Sequence, residues 1–262
     1  MAEQTIRFDD GDAYEQMMGV WSRYAGEIFL DWLAPASGLR WIDVGCGTGA
    51  FTQLVADRCA PAEVQGVDPS DGQLAFARKR PAARVAQFRV GDAMALPFPD
   101  ASFDAAVMAL VLVFVPEPAK GIAEMARVVR PGGMAAAYMW DMLGGGFPLD
   151  PMLIEIRAMG LVPPRPPRME ASGLEAMRAL WAGAGLVDVE TREIAVERTF
   201  ASFDELWAIN TKSPSVAGTI GALSPADVET MKRKVRARLP ADGAGRITYA
   251  ARAHAVKGRV AG

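Results

Sequence analysis

The stretch Leu39-Arg40-Trp41-Ile42-Asp43-Val44-Gly45-Cys46-Gly47-Thr48-Gly49-Ala50-Phe51 constrains this chain more than any other part of it. A short apolar run feeds a glycine-rich turn, and a helix is predicted to start near Thr48. Glycine has no Cβ, so alternating glycines reach φ values closed to other residues and let a ligand lie against bare backbone. A glycine turn between strand and helix opens a nucleotide-binding βαβ unit, whose ligand sits at the carboxyl ends of the strands. The turn alone does not say which nucleotide, because Gly45-x-Gly47-x-x-Ala50 also fits the dinucleotide fingerprint.

The rest of the composition sets the context. With 262 residues the chain can bury a substantial core without disulfides or metals, and no metal is expected. A formal net charge of −3 gives no global attraction to nucleic acid or to an anionic membrane. Met1 to Asp12 are polar and acidic, unlike a signal peptide, and look loosely ordered. The longest apolar run, Ala105 to Val115, has about half the ~20 residues of a membrane span. Cys46 and Cys59 suit a reduced compartment, so a cytoplasmic soluble enzyme is the starting expectation.

Apolar residues at helical spacing, including Trp21, Tyr24, Ile28 and Phe29, predict a helix over 13–33 that stops before Pro35 and Gly38. Trp21 and Tyr24 suit either core packing or a helix that closes over a cofactor. Strand 39–44 and helix 48–59 come next. Then follow strand 63–67, a helix from the cap Ser70 to about Lys79, and strands 84–90 and 103–109. A helix over 119–129 is expected to break at Pro131-Gly132-Gly133, before strand 134–140. Near-uniformly apolar strands alternating with helices imply a parallel sheet covered on both faces. Beyond Trp140 the pattern loosens, with Gly144-Gly145-Gly146 and the prolines 163, 164, 166 and 167 around a short helix over 151–159. Further helices are expected over 173–182, 202–210 and from Ser224-Pro225-Ala226-Asp227, with strands 186–198 and 246–256.

Three carboxylates bear on the choice of ligand. Asp43 lies within its strand, two residues before Gly45, where a negative charge would repel a pyrophosphate but suit a ligand with a cationic part. Asp68 ends the second strand, where a carboxylate accepts both ribose hydroxyls in either nucleotide reading. Asp92, in Gly91-Asp92-Ala93 after the third strand, is placed to accept from an adenine amine. An adenosine bearing an ammonium and a sulfonium, S-adenosylmethionine, matches all three.

These residues, with Gly66-Val67-Asp68-Pro69-Ser70, Gly91-Asp92-Ala93-Met94-Ala95-Leu96-Pro97-Phe98, Ser102-Phe103-Asp104 and Arg127-Val128-Val129-Arg130-Pro131-Gly132-Gly133, carry a resemblance. Over roughly 39–140 the chain resembles the class I S-adenosylmethionine-dependent methyltransferases, of the small-molecule type similar to the quinone-biosynthesis enzymes. The resemblance implies a Rossmann-like α/β fold. Its seven-stranded, mostly parallel sheet would have helices on both faces, an antiparallel last strand and helical cap insertions. It also implies a single domain over 1–262. The parts are an N-terminal helical cap (1–38), a cofactor-binding core (39–140), substrate-side insertions (141–185 and 199–245) and last strands (186–198 and 246–256). Gly45, Cys46, Gly47 and Gly49 would line the methionine part, with Asp43 at the ammonium. Asp68 and Pro69 would meet the ribose, and Asp92 and Ala93 the adenine. Ala109 and Leu110 would lie beneath the methyl group. Trp21 and Tyr24 join the expected cofactor contacts if the first helix closes over the site. S-adenosylhomocysteine would be the product.

Methyl transfer is an in-line displacement that loses charge, so alignment and exclusion of water can supply much of the catalysis. A base is needed only if the acceptor carries a proton that must leave. Val111 to Val115 hold none, and the only histidine, His254, lies in the last predicted strand with a structural role expected. Asp141, beside Trp140, is the favoured base, with Tyr138 and Glu117 as further candidates. Phe203 and Trp207 either cap the pocket or pack in the core. An apolar lid implies an uncharged or partly hydrophobic small acceptor, with no nucleic-acid or membrane partner; the oligomeric state is open, a homodimer included. The rival readings are a nicotinamide-dependent oxidoreductase and a nucleic-acid or protein methyltransferase. Lys232, Arg233, Lys234, Arg236 and Arg238 favour nucleic acid, but they surround an apolar stripe at helical spacing and so read as a solvated face.

Overall fold

The computed structural model describes residues 15–262, so the expectation for residues 1–12 lies outside the described residues. One seven-stranded sheet organises the chain, in the order β3-β2-β1-β4-β5-β7-β6. Its strands are β1 (Arg40–Val44), β2 (Glu63–Asp68), β3 (Ala86–Val90), β4 (Phe103–Ala109), β5 (Val129–Trp140), β6 (Leu186–Phe200) and β7 (Ile247–Val260). Strands β1 to β5 pair in parallel, as the sequence pattern implied, and β7 runs antiparallel to both β5 and β6, as the resemblance implied.

The helices are α1 (Val20–Leu33), α2 (Ala50–Arg58), α3 (Asp71–Ala77), α4 (Pro118–Val128), α5 (Asp150–Ala158), α6 (Leu174–Gly183), α7 (Phe203–Asn210), α8 (Ala217–Gly221) and α9 (Pro225–Arg238). A π-helical turn over Glu15–Gly19 leads into α1. The predicted caps Ser70 and Ser224 form, and Ser202 adds a third: each accepts from the backbone N–H three residues on, at 3.3, 3.2 and 3.2 Å respectively for Ser70, Ser224 and Ser202. Each offsets one of the orphan donors of a helix start.

Several boundaries differ from the expectation. Helix α4 ends at Val128, and Pro131-Gly132-Gly133 lies inside β5 rather than ahead of it. Val129 already pairs with Phe103, and the register shifts before Ala105 meets Met134, so the turn residues form an irregularity within the strand. Gly133 fits there because a Cβ would come within 2.7 Å of the Asp104 carbonyl oxygen. Asp104 pins this corner by accepting from Arg40 N–H and the Arg130 guanidinium, both at 2.7 Å. The last strands also run longer than their apolar patterns, to Phe200 and Val260, because their long antiparallel pairing extends past the apolar residues.

The core lies on both faces of the sheet. Trp181 of α6 is fully buried and donates its indole N–H to the Ala135 carbonyl of β5 at 2.9 Å, fastening that helix to the sheet. On the other side, Phe29 of α1 packs 4.7 Å from the Tyr138 ring and 6.0 Å from Phe51. Helix α1 is therefore held over the carboxyl ends of β1 and β5 by aromatic packing. No helix among the described residues is long and apolar enough to cross a membrane.

Candidate active site

A cavity of about 940 Å³ opens at the carboxyl ends of β1, β2 and β4, where ligands bind in open α/β sheets. The turn after β1 forms its floor. Gly45, Gly47 and Gly49 have φ of +75°, +52° and +75°, values that favour glycine. Gly45 and Cys46 both donate to the Val67 carbonyl, at 2.7 and 3.0 Å, which ties the turn to the end of β2. A Cβ on Gly45 would strike the Val111 side chain at 2.5 Å, so the turn and the segment after β4 close on each other there.

Asp43 reaches this cavity from inside β1 and is 1% exposed. Thr52 of α2 donates its hydroxyl to Oδ2 at 2.6 Å. The other oxygen, Oδ1, is buried and receives no hydrogen bond. Burial pushes the carboxyl up to about 7; the Thr52 hydrogen bond opposes the rise and the nearby Asp68 charge adds to it. A buried acceptor without a donor costs about 1–3 kcal/mol, so this oxygen suits a cationic donor arriving from the cavity.

Asp68 ends β2 on the same cavity and accepts from Gly47 N–H at 2.9 Å and Ser70 N–H at 2.8 Å. Burial raises it as well. Each of its oxygens retains a lone pair, which two vicinal hydroxyls can fill. Asp92 lies at the edge of the cavity, where its Oδ1 accepts from Met94 N–H at 2.8 Å. Ala93, Ala109, Leu110, Pro69, Cys46 and Tyr138 also line the wall. The Cys46 thiol is raised by burial and by Asp43 and Asp68, which leaves it inert as a nucleophile. An orphaned buried carboxylate oxygen, a carboxylate aimed at a diol and a bare-backbone turn fit the ammonium, ribose and methionine part of S-adenosylmethionine.

Four expected residues are not in this site. Trp21 is fully buried, with its ring 5.0 Å from Tyr249, and serves the core. Tyr24, 41% exposed, lies on the outer side of α1 and borders neither cavity. Gly49 is the N-cap of α2, where a Cβ would meet Ala77 at 3.1 Å; it serves packing rather than contact. Asp141 borders neither cavity. It is 4% exposed and held by the Arg252 guanidinium and by Gly144 N–H at 2.7 Å. Burial would raise its carboxyl, but Arg252, Gly144 and His254 outweigh this and hold it below the usual range, the reverse of what a base needs.

The other candidates separate clearly. Glu117 pairs with Lys120 at the surface. His254 bonds the Ser172 carbonyl through Nδ1 at 2.7 Å, the structural role expected. Phe203 and Trp207 pack on each other away from both cavities. Lys232 and Arg236 pair with Asp204 on the outer face of α9, in keeping with a solvated face. Trp140 lines a second, smaller cavity of about 60 Å³ that shares Leu110, Phe114, Arg165 and Pro166 with the first.

Sequence reasoning missed several residues. Thr52 sets Asp43, and its hydroxyl at the first turn after the glycines was the available signal. Gln73 extends over Gly47, where a Cβ would meet its Oε1 at 2.8 Å. Arg165 and Pro166 come from the proline-rich excursion, whose composition says nothing of where it lands.

The fold and the arrangement of the site are similar to those of class I, S-adenosylmethionine-dependent methyltransferases. Residues 42–137 match the family model described as a methyltransferase domain. A demethylmenaquinone methyltransferase of Symbiobacterium thermophilum is 38% identical over 129 residues, covering 47% of this chain and 51% of the relative. An O-methyltransferase of Penicillium expansum is 43% identical over 105 residues, covering 38% of this chain and 37% of the relative. This chain thus spans about half or less of the length of these curated relatives. Among solved structures, a phosphoethanolamine N-methyltransferase of Haemonchus contortus aligns with a TM-score of 0.61 at 18% identity, covering 99% of this chain and 60% of that one; the likeness is one of fold.

Proposed function

We propose that this chain transfers a methyl group from S-adenosylmethionine to a small, quinone-type acceptor, aided mainly by proximity and orientation. The observation that carries the reading is the pair Asp43 and Asp68, at the ends of adjacent strands on one cavity that runs to Leu110. When bound, the cofactor supplies an electrophilic methyl carbon on a sulfonium. Asp43 takes the ammonium, Asp68 the ribose hydroxyls, and Asp92 with Ala93 the adenine edge. Ala109 and Leu110, at the end of β4, lie under the methyl. Tyr138 closes the wall beneath α1 and reaches the Ser22 carbonyl with its hydroxyl at 3.4 Å.

Among the described residues no carboxylate lines the second cavity, which supports catalysis by alignment and desolvation. The names of the relatives support the quinone-type acceptor: one methylates a demethylmenaquinone by its name. The segments 141–185 and 199–245 act as substrate-side insertions in this reading, since Trp140, Arg165 and Ser213 meet at the second cavity. Near-neutral charge and the absence of paired cysteines among the described residues support a cytoplasmic enzyme without a nucleic-acid partner.

Two measurements test the reading. Calorimetry with S-adenosylhomocysteine should give one site per chain, lost in Asp43→Ala. Transfer of labelled methyl to hydroquinones should exceed transfer to nucleic acid or peptide. Absence of cofactor binding, or a preference for nucleic acid, overturns it.

A further inference from the structure

The second cavity has a chemical character of its own. Five methionines, Met17, Met18, Met139, Met142 and Met169, form much of its wall, so it is soft and adaptable. At about 60 Å³, and roughly 10–15 Å³ for one water measured this way, it has room for a single six-membered ring. It lies beside the larger cavity and shares Leu110, Phe114, Arg165 and Pro166 with its wall. Leu110 has φ +64°, a strained value for leucine, and is held by its N–H donating to the Tyr138 carbonyl at 2.8 Å. Strain of this kind persists where the surrounding structure over-determines it, here in the wall the two spaces share.

The nitrogen groups lining this chamber are all donors, and Ser213 and Ser215 add hydroxyls that can donate or accept. Trp140 is 2% exposed, and its indole N–H is buried without an acceptor. Arg165 lines both cavities and pairs with no carboxylate among the described residues. Arg157 adds a second guanidinium, and among the described residues no Asp or Glu lines the chamber. Guanidinium and indole donate and cannot accept. Such a lining rejects an ammonium and favours a ligand that brings oxygen acceptors, above all an oxyanion.

We propose that this chamber takes a single-ring phenol and binds it as the phenolate, with its oxygen toward Arg165 and the Trp140 N–H. This rests on the methyltransferase reading above and deepens it. The hydroxyl proton passes to solvent on binding, so no protein base is needed. The phenolate electron pair then forms the new bond to the methyl carbon. The carbon–sulfur bond breaks with its pair left on sulfur, and the two opposite charges cancel. Arg165 and Trp140 are specificity-determining residues, and the two guanidinium groups select against amine acceptors.

The test uses the full chain with 4-nitrophenol, whose coloured phenolate band reads ionisation directly, with and without S-adenosylhomocysteine. The bound phenol should ionise at a pH lower by about one unit or more than the free phenol, as a nearby cation dictates. Arg165→Gln should abolish that shift, Arg165→Lys should restore part of it, and Trp140→Phe should weaken binding roughly tenfold with the circular dichroism unchanged. Benzylamine should bind at least tenfold more weakly than the phenol. An unshifted bound phenol, a shift that survives Arg165→Gln, or tighter benzylamine binding overturns the proposal. Failure of S-adenosylhomocysteine to bind, with the phenol shift intact, overturns the methyltransferase reading instead.

Discussion

Thr52 holds one oxygen of Asp43 at 2.6 Å and leaves the other, buried beside the cofactor cavity, without a donor. The hydroxyl fixes the carboxyl's rotamer and partly offsets its burial. Burial still dominates, so the group titrates near neutrality rather than in the usual carboxylate range. The pair is thus a proton-linked seat for a cation.

Cofactor affinity should therefore depend on pH through Asp43. An arriving ammonium favours the carboxylate, so binding of S-adenosylhomocysteine releases a proton below about pH 7 and strengthens from about pH 5.5 to 7.5. Calorimetry in two buffers of different ionisation enthalpy counts that proton. Asp43→Asn should lose both the proton release and the pH slope; a slope that persists in the variant assigns it elsewhere.

The same group affects stability in the opposite direction. Its folded pKa of about 7 lies above the ordinary carboxyl value of 3.8, so the folded state holds a proton that the unfolded chain has lost between those values. Its contribution is fully present below about pH 4 and lost as pH rises through about 7. Without cofactor, the midpoint of urea unfolding should fall over that window, and less so in Asp43→Asn.

Asp68 supports both the turn and the ribose. Asp68→Asn keeps one acceptor but loses the charge and one backbone contact. It should weaken S-adenosylhomocysteine binding by about 1–3 kcal/mol, the range for a hydrogen bond to a charged group. Affinity equal to wild type in calorimetry sinks the ribose role.

Asp141 is predicted to matter for folding more than for turnover. Its lowered pKa means that its stabilisation is present above pH 3.8 and lost as pH falls through the lower folded value. Arg252→Met leaves that buried carboxylate without its main partner. The cost should be about 1–3 kcal/mol, less than for a fully buried pair because the Arg252 side chain is 41% exposed. Chemical denaturation reads it, and kcat per folded molecule should stay near wild type. A large fall in kcat at unchanged stability would return Asp141 to the chemistry.

Gly45→Ala should cost about 1–2 kcal/mol for its left-handed backbone, with a further cost for the contact with Val111. Pairing it with Val111→Ala should recover the steric part alone, as a double-mutant cycle in thermal unfolding would show.

Much of the fold was legible because its signals are local. Strand β4 carries its observed bounds in its apolar pattern, and the caps Ser70 and Ser224 follow from short-range hydroxyl chemistry. The Pro131-Gly132-Gly133 turn was misread as a helix end because proline and glycine mark a break without saying which element contains it. Trp21 and Tyr24, three residues apart on one helix, had the same two readings open. Only the position of Tyr249, more than two hundred residues later, decided that Trp21 belongs to the core.

The sequence by itself determined the α/β class and the glycine turn. It also determined the placing of Asp43, Asp68 and Asp92 at successive strand ends, because backbone preference and strand period act between near neighbours. Tertiary structure alone decided the rest. Asp141 was removed from the chemistry by Arg252, 111 residues away, and the methionine-lined chamber was assembled from Met17, Trp140, Arg165 and Ser213. Those relationships are set by how layers pack on the sheet, and no periodicity along the chain records which distant side chains will share a cavity.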